Sequence, residues 1–211
     1  MWIVGEVENI GDVATKSTKV TAIFYNLSNN VIAVEDGHTS LNILLPGRKT
    51  SFAVMLNEMA GSFNVQNYTL SVSWKNYVPG KTLGLEILST NEYVDEYGNF
   101  HVIGEIENQG TTEARFVRAF VTFYDSQGAV IGIDWDLTEP LDLVPLSKGK
   151  FDLELIYEQQ VTKIATWELS AESMEYGLIP EFPSYTIILA AWILVGFVGI
   201  LTRNLKKMYS L

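Results

Sequence analysis

Gly104-Glu105-Ile106-Glu107-Asn108 restates, 99 positions later, Gly5-Glu6-Val7-Glu8-Asn9, and this echo decides how the chain is read. Extending the offset in both directions aligns Ile3–Trp74 with Val102–Ser173 without an insertion. Phe24-Tyr25-Asn26 meets Phe123-Tyr124-Asp125, while Pro46, Phe52, Leu56, Leu70 and Ser71 meet Pro145, Phe151, Leu155, Leu169 and Ser170. Most of the 17 identities among 72 aligned positions fall on apolar and turn residues, so they report a shared backbone more than shared chemistry.

Within each repeat the apolar period is two. Phe151, Leu153 and Leu155 face one way and Asp152 and Glu154 the other, and Phe52, Val54 and Leu56 repeat the pattern. Tyr68, Leu70, Val72 and Trp74 alternate likewise, as do Trp167, Leu169 and Ala171. Asn108-Gln109-Gly110, Asp125-Ser126-Gln127-Gly128 and Tyr97-Gly98-Asn99 supply the Gly and Asn that tolerate positive φ between strands. Short strands bounded by turns predict an all-β chain of two tandem immunoglobulin-like β-sandwiches: a first module over 1–77, a linker at 78–82 and a second module over 83–176.

Modules of this size can bury a core without cross-links. The absence of cysteine excludes disulfides, thiolate zinc sites and thiol catalysis. A net charge of -11, with 14 basic residues thinly spread, opposes nucleic-acid binding, which needs clustered Lys and Arg. No Gly-x-Ser-x-Gly elbow, His-Glu-x-x-His, P-loop or dinucleotide fingerprint occurs, so the sequence predicts neither an enzyme nor a cofactor.

The second repeat is preceded by an extra strand, Leu83–Leu88, with Asn91-Glu92-Tyr93 and a turn at Asp95–Asn99 behind it; the first repeat has no counterpart. The expectation is a truncated start that has lost a leading strand and a signal peptide. At the other end, residues 177–184 form a proline-bounded spacer, 185–202 a transmembrane helix and 203–211 a basic tail. Tyr185–Leu201 carries no charge and would extend about 26 Å as a helix, close to the ~30 Å hydrocarbon core. Arg203, Lys206 and Lys207 follow it and Glu172, Glu175 and Glu181 precede it, which places the tail in the cytoplasm and the modules outside. A tail-anchored protein with cytoplasmic modules is the topology that this charge asymmetry opposes.

The order of these motifs, clearest in Phe100–Asn108, Phe123-Tyr124-Asp125 with Gly128, and Leu143-Val144-Pro145, resembles the FxLYD family of immunoglobulin-like domains. Leu146 stands where that family usually has Gly, and Asn26 replaces Asp in the first repeat. The resemblance implies extracytoplasmic modules of prokaryotic surface proteins, with no catalytic residues to carry over. Ile179-Pro180-Glu181-Phe182-Pro183-Ser184, an apolar segment and a basic cluster resemble the archaeal PEF-type sorting tail, which implies an archaeosortase-like processing enzyme as a partner. A stiff spacer is the alternative, since Pro180 and Pro183 hold the chain extended in either case.

The remaining candidates are sparse. His38 and His101 belong to different repeats and predict no paired site. Glu6 with Glu8, and Glu105 with Glu107, project from one strand face, as a solvated sheet surface or a weak calcium site would have them. Asn26-Leu27-Ser28 and Asn67-Tyr68-Thr69 are N-glycosylation sequons at Asn26 and Asn67. Together these features predict a membrane-anchored, non-catalytic surface stalk, structural, adhesive or ligand-presenting, with the bilayer and an extracellular protein or glycan as partners. The alternative is an extracytoplasmic accessory or solute-binding subunit of a membrane complex, to which Gly196 and Gly199 leave room for helix contact.

Overall fold

A computed structural model describes residues 1–56, 64–78, 81–156 and 158–180 of the protein. Met1–Ile179 forms one compact unit. The chain is nearly all β, as the period-two alternation predicts; α1 (Glu158–Val161) is a single turn. No helix among the described residues is long and apolar enough to cross a membrane, and the predicted segment 185–202 lies outside them.

The first repeat contributes β1 (Trp2–Glu8), β2 (Thr15–Tyr25), β3 (Val31–His38), β4 (Ile43–Leu44), β5 (Lys49–Met55) and β6 (Asn67–Asn76). Here β1 pairs β5 in a two-stranded sheet, and β2 carries β3, β4 and β6 in a four-stranded one. The second repeat contributes β7 (Thr82–Val94), β8 (Phe100–Asn108), β9 (Arg118–Tyr124), β10 (Val130–Leu137), β11 (Lys148–Leu155), β12 (Thr166–Glu172) and β13 (Tyr176–Leu178). These seven strands make one sheet in the order β10-β9-β12-β13-β7-β8-β11.

The 99-residue offset holds at the level of single hydrogen-bonded partners. Ile3 faces Val54 as Val102 faces Leu153, Thr21 faces Ser71 as Phe120 faces Ser170, and Val20 faces Gly37 as Ala119 faces Asp136. A one-residue slip would turn each apolar set to the wrong face, so the repeated alternation enforces the repeated register. The side chain of β11 alternates perfectly between exposed and buried, which puts Phe151, Leu153 and Leu155 into a core with Val102, Ile106, Val121 and Phe123. Ile3, Val20, Ala22, Phe24, Phe52, Val54 and Leu56 form the smaller core of the first repeat.

Three details depart from the sequence reading. The leading strand β7 runs to Val94 rather than ending at Leu88, because a bulge between Ile87 and Ser89 lets Thr90–Val94 continue pairing with Phe100–Gly104. Gly177 and Leu178, placed by sequence in the spacer, belong to β13, which adds parallel to β7, and Ile179 N still donates to Leu85 O at 2.7 Å. Finally, β6 is a strand as predicted, yet every residue along it is exposed. Register puts Tyr68, Leu70 and Val72 opposite Phe24, Ala22 and Val20, and therefore on the core face of the sheet, but that face is uncovered at β6.

Candidate functional site

Strand β9 is buried on both faces. Ala119, Val121 and Phe123 enter the core, whereas Phe120, Thr122 and Tyr124 point the other way and are buried too. The outer side is closed in part by the first repeat: Tyr124 donates to Glu6 Oε1 on β1 at 2.7 Å and lies 3.3 Å from Glu168 Oε2 on β12. Burial first, then the hydrogen bond and charge of Glu6, raise the Tyr124 phenol well above its ordinary value, so the hydroxyl remains a donor.

The main polar junction centres on Glu172, at the end of β12, with 2% of its surface exposed. Its Oε1 accepts from Arg118 Nη2 at 2.8 Å and from the backbone N–H of Asn42 at 3.0 Å, and its Oε2 accepts from Lys81 Nζ at 3.1 Å. Arg48 Nη2 donates to Leu178 O at 3.0 Å beside it, and burial lowers the pKa of this guanidinium. Such a cluster meets the requirement for a buried charge, which must be paired and hydrogen-bonded to be tolerated. Between the repeats lies a cavity of about 260 Å³ bordered by Glu6, Arg48, Lys81, Glu168, Glu172 and Leu178. That is just below the ~300–1,000 Å³ usual for small-molecule sites, and the acidic and basic walls already neutralise one another. Both Glu172 oxygens are engaged, so the residue ties the repeats together.

A second cluster surrounds His101 on β8. The ring stacks on Tyr93 at 4.6 Å between centroids, Nδ1 lies 2.8 Å from Asp152 Oδ1, and Nε2 faces Asp95 Oδ2 at 3.5 Å and Glu154 Oε2 at 3.9 Å. Burial alone would lower the imidazole pKa, but Asp152 and then Asp95, through hydrogen bonds and charge, raise it above the ordinary value. Asp95 is itself fixed by the turn, accepting from the N–H groups of Tyr97 and Asn99.

The residues singled out by sequence are dispersed. Exposed His38 ends β3 and is not brought to His101. Glu6 reaches Tyr124 and Lys49, whereas Glu107 accepts from Gln109 at 2.5 Å; among the described residues no group of three or more potential ligands is placed to hold a metal. Asn26 is half-buried, and its Oδ1 accepts from the N–H groups of Ser28 and Asn30; Asn67 is exposed at the start of β6. Pro180 is exposed, while Glu181, Phe182, Pro183, Arg203, Lys206 and Lys207 lie outside the described residues.

The sequence reading used Glu172 only as an acidic flank of the apolar segment and did not single out Lys81 or Arg118. One signal was available: Glu172 aligns with Ser73, so a carboxylate enters the second repeat where the first has none.

No protein-family model and no curated protein matches the chain. Solved structures similar to it include the exo-chitosanase CsxA of Amycolatopsis orientalis in complex with PNP-β-D-glucosamine, at 13% identity, 82% coverage of this chain, 24% of that chain and a TM-score of 0.32. A second structure of that enzyme matches at 12% identity over the same shares, with a TM-score of 0.33. The chain thus spans about a quarter of the length of these proteins, a likeness too distant to carry a functional argument.

Proposed function

We propose that the protein is a non-catalytic stalk of a prokaryotic, in particular archaeal, cell surface: two FxLYD-type immunoglobulin-like modules, anchored by residues 185–202, with the basic tail in the cytoplasm. The observation that carries this reading is the Glu172 junction. It joins the repeats and their connection into one body, in which β13 pins the chain to β7 as far as Ile179, directly before Pro180. A rigid body ending where a stiff spacer and an uncharged 17-residue stretch begin suits a spacer that holds its far end away from a bilayer. The spacer is short and proline-bounded, which suits access by an archaeosortase-type enzyme, and Asn67 is exposed to a glycan. Membrane fractionation tests the anchor: the full chain should sediment with membranes and resist alkaline carbonate, and a chain ending at Pro180 should be released. A full chain recovered in the soluble fraction would remove the proposal.

A further inference from the structure

The cavity between the repeats is neutral overall but not pair by pair. Three carboxylates and three cations border it, Glu6, Glu168 and Glu172 against Arg48, Lys49 and Lys81. Lys81 is held 3.1 Å from Glu172, and Lys49 lies 3.5 Å from Glu6. Arg48 and Glu168 are left over: among the described residues neither makes an ion pair. Arg48 gives one N–H to Leu178 O and makes no other side-chain hydrogen bond to a described residue, although burial already disfavours its charge. On the β9 and β12 wall, Glu168 and Glu6 flank the Tyr124 hydroxyl, so two carboxylates share one phenol and one ammonium. Thr122 faces Glu168 across this ladder and is only 7% exposed. Its hydroxyl has no hydrogen-bond partner among the described residues and is not sealed from the cavity, whereas a buried hydroxyl is normally satisfied.

The rest of the lining is apolar: Leu41, Ile43, Leu45, Leu83 and Leu178 all border the cavity and are half-buried or exposed. One unpaired cation, one unpaired anion and an apolar wall set the chemistry of an occupant. A molecule of net charge would leave either Arg48 or Glu168 unanswered, and an uncompensated charge is costly away from water. We propose that the cavity binds a small zwitterion with an apolar body, of the class of a free apolar amino acid. The Arg48 fork receives its carboxylate, Glu168 accepts from its ammonium with the Thr122 hydroxyl as a further partner, and its side chain lies on the leucines. Size agrees: about 260 Å³ holds roughly eight or nine waters at ~30 Å³ each, which suits a ligand on the order of ten non-hydrogen atoms rather than a drug-sized one.

Calorimetric titration of the purified full chain tests this with leucine, valine and methionine, and with two analogues of leucine that each lack one charge, 4-methylpentanoate and 3-methylbutylamine. At least one of the amino acids should bind saturably at one per chain. For leucine, each analogue should bind about tenfold or more weakly, since each loses a hydrogen bond between charged groups. Arg48→Gln should abolish binding of leucine and 4-methylpentanoate alike. Glu168→Gln, at an exposed position that can change without loss of the fold, should weaken leucine to the level of 4-methylpentanoate and leave the latter unchanged, so the test survives if Arg48→Gln fails to fold. No saturable binding of any of the three amino acids, equal binding of leucine and its analogues, or leucine binding untouched by Glu168→Gln would each overturn the proposal.

Discussion

Asn108 Nδ2 donates to the carbonyl of Leu143 over 2.7 Å, and Asn9 stands in the same relation to Leu44 over 2.9 Å. Each asparagine completes the same bracket: a second donation, to Thr112 O or Val13 O, and an acceptance from the N–H of Gly110 or Gly11. The side chain ties a turn to a distant loop, which is why the motif ends in Asn in both repeats. Removing it strands buried carbonyls. Asn108→Ala should therefore cost about 2–4 kcal/mol in denaturant unfolding, and the better-exposed Asn9 less than Asn108.

Glu172→Ala leaves Lys81 and Arg118 facing each other without the carboxylate that binds both. Breaking a buried ion pair from one side typically costs about 3–5 kcal/mol. The chain ending at Pro180 should lose this much, and limited proteolysis should gain a cut near Lys81. Glu172→Gln should retain the Asn42 hydrogen bond and fall between the two.

The His101 pKa is raised in the fold, so its contribution is fully present below the unfolded value, about 6.5, and is lost as pH rises through the folded value. Stability measured from pH 6 upward should fall across that window in the native chain. In His101→Gln the slope should flatten, and an NMR titration of the His101 ring should report the raised midpoint directly. An unshifted or lowered midpoint would contradict the placement of Asp152 and Asp95.

Gly104→Ala pushes a methyl into the Ser89 carbonyl and the Phe151 ring, contacts of 2.4 and 2.6 Å that backbone must yield to, and should cost about 1–3 kcal/mol. Gly5→Ala meets only the Phe52 ring, at 3.0 Å, and should cost clearly less. Thermal melts of the two variants compare an edge paired by β7 with one to which no described strand is bonded.

Much of the fold was legible because the two-residue period and the 99-residue offset are both local properties of the sequence. Phe151, Leu153 and Leu155 are buried as their alternation requires, and Gly98 and Gly128 take the positive φ that their turns demand. What periodicity cannot say is what covers a face. Tyr68–Trp74 and Trp167–Ala171 carry the same alternation, yet Tyr68–Trp74 is exposed throughout whereas Trp167 and Leu169 pack against the core and Ala171 is buried. The Glu172 junction was hidden for a related reason: its partners Asn42, Lys81 and Arg118 lie 130, 91 and 54 residues away, beyond any local pattern. Likewise, the bulge at Leu88 that extends β7 leaves no glycine in the sequence to announce it.

Protease accessibility on intact cells tests the surface assignment most directly. External protease should destroy epitopes in both repeats while a tag after Leu211 survives inside the cell. Repeats that remain intact until the membrane is permeabilised would place them in the cytoplasm and contradict the account.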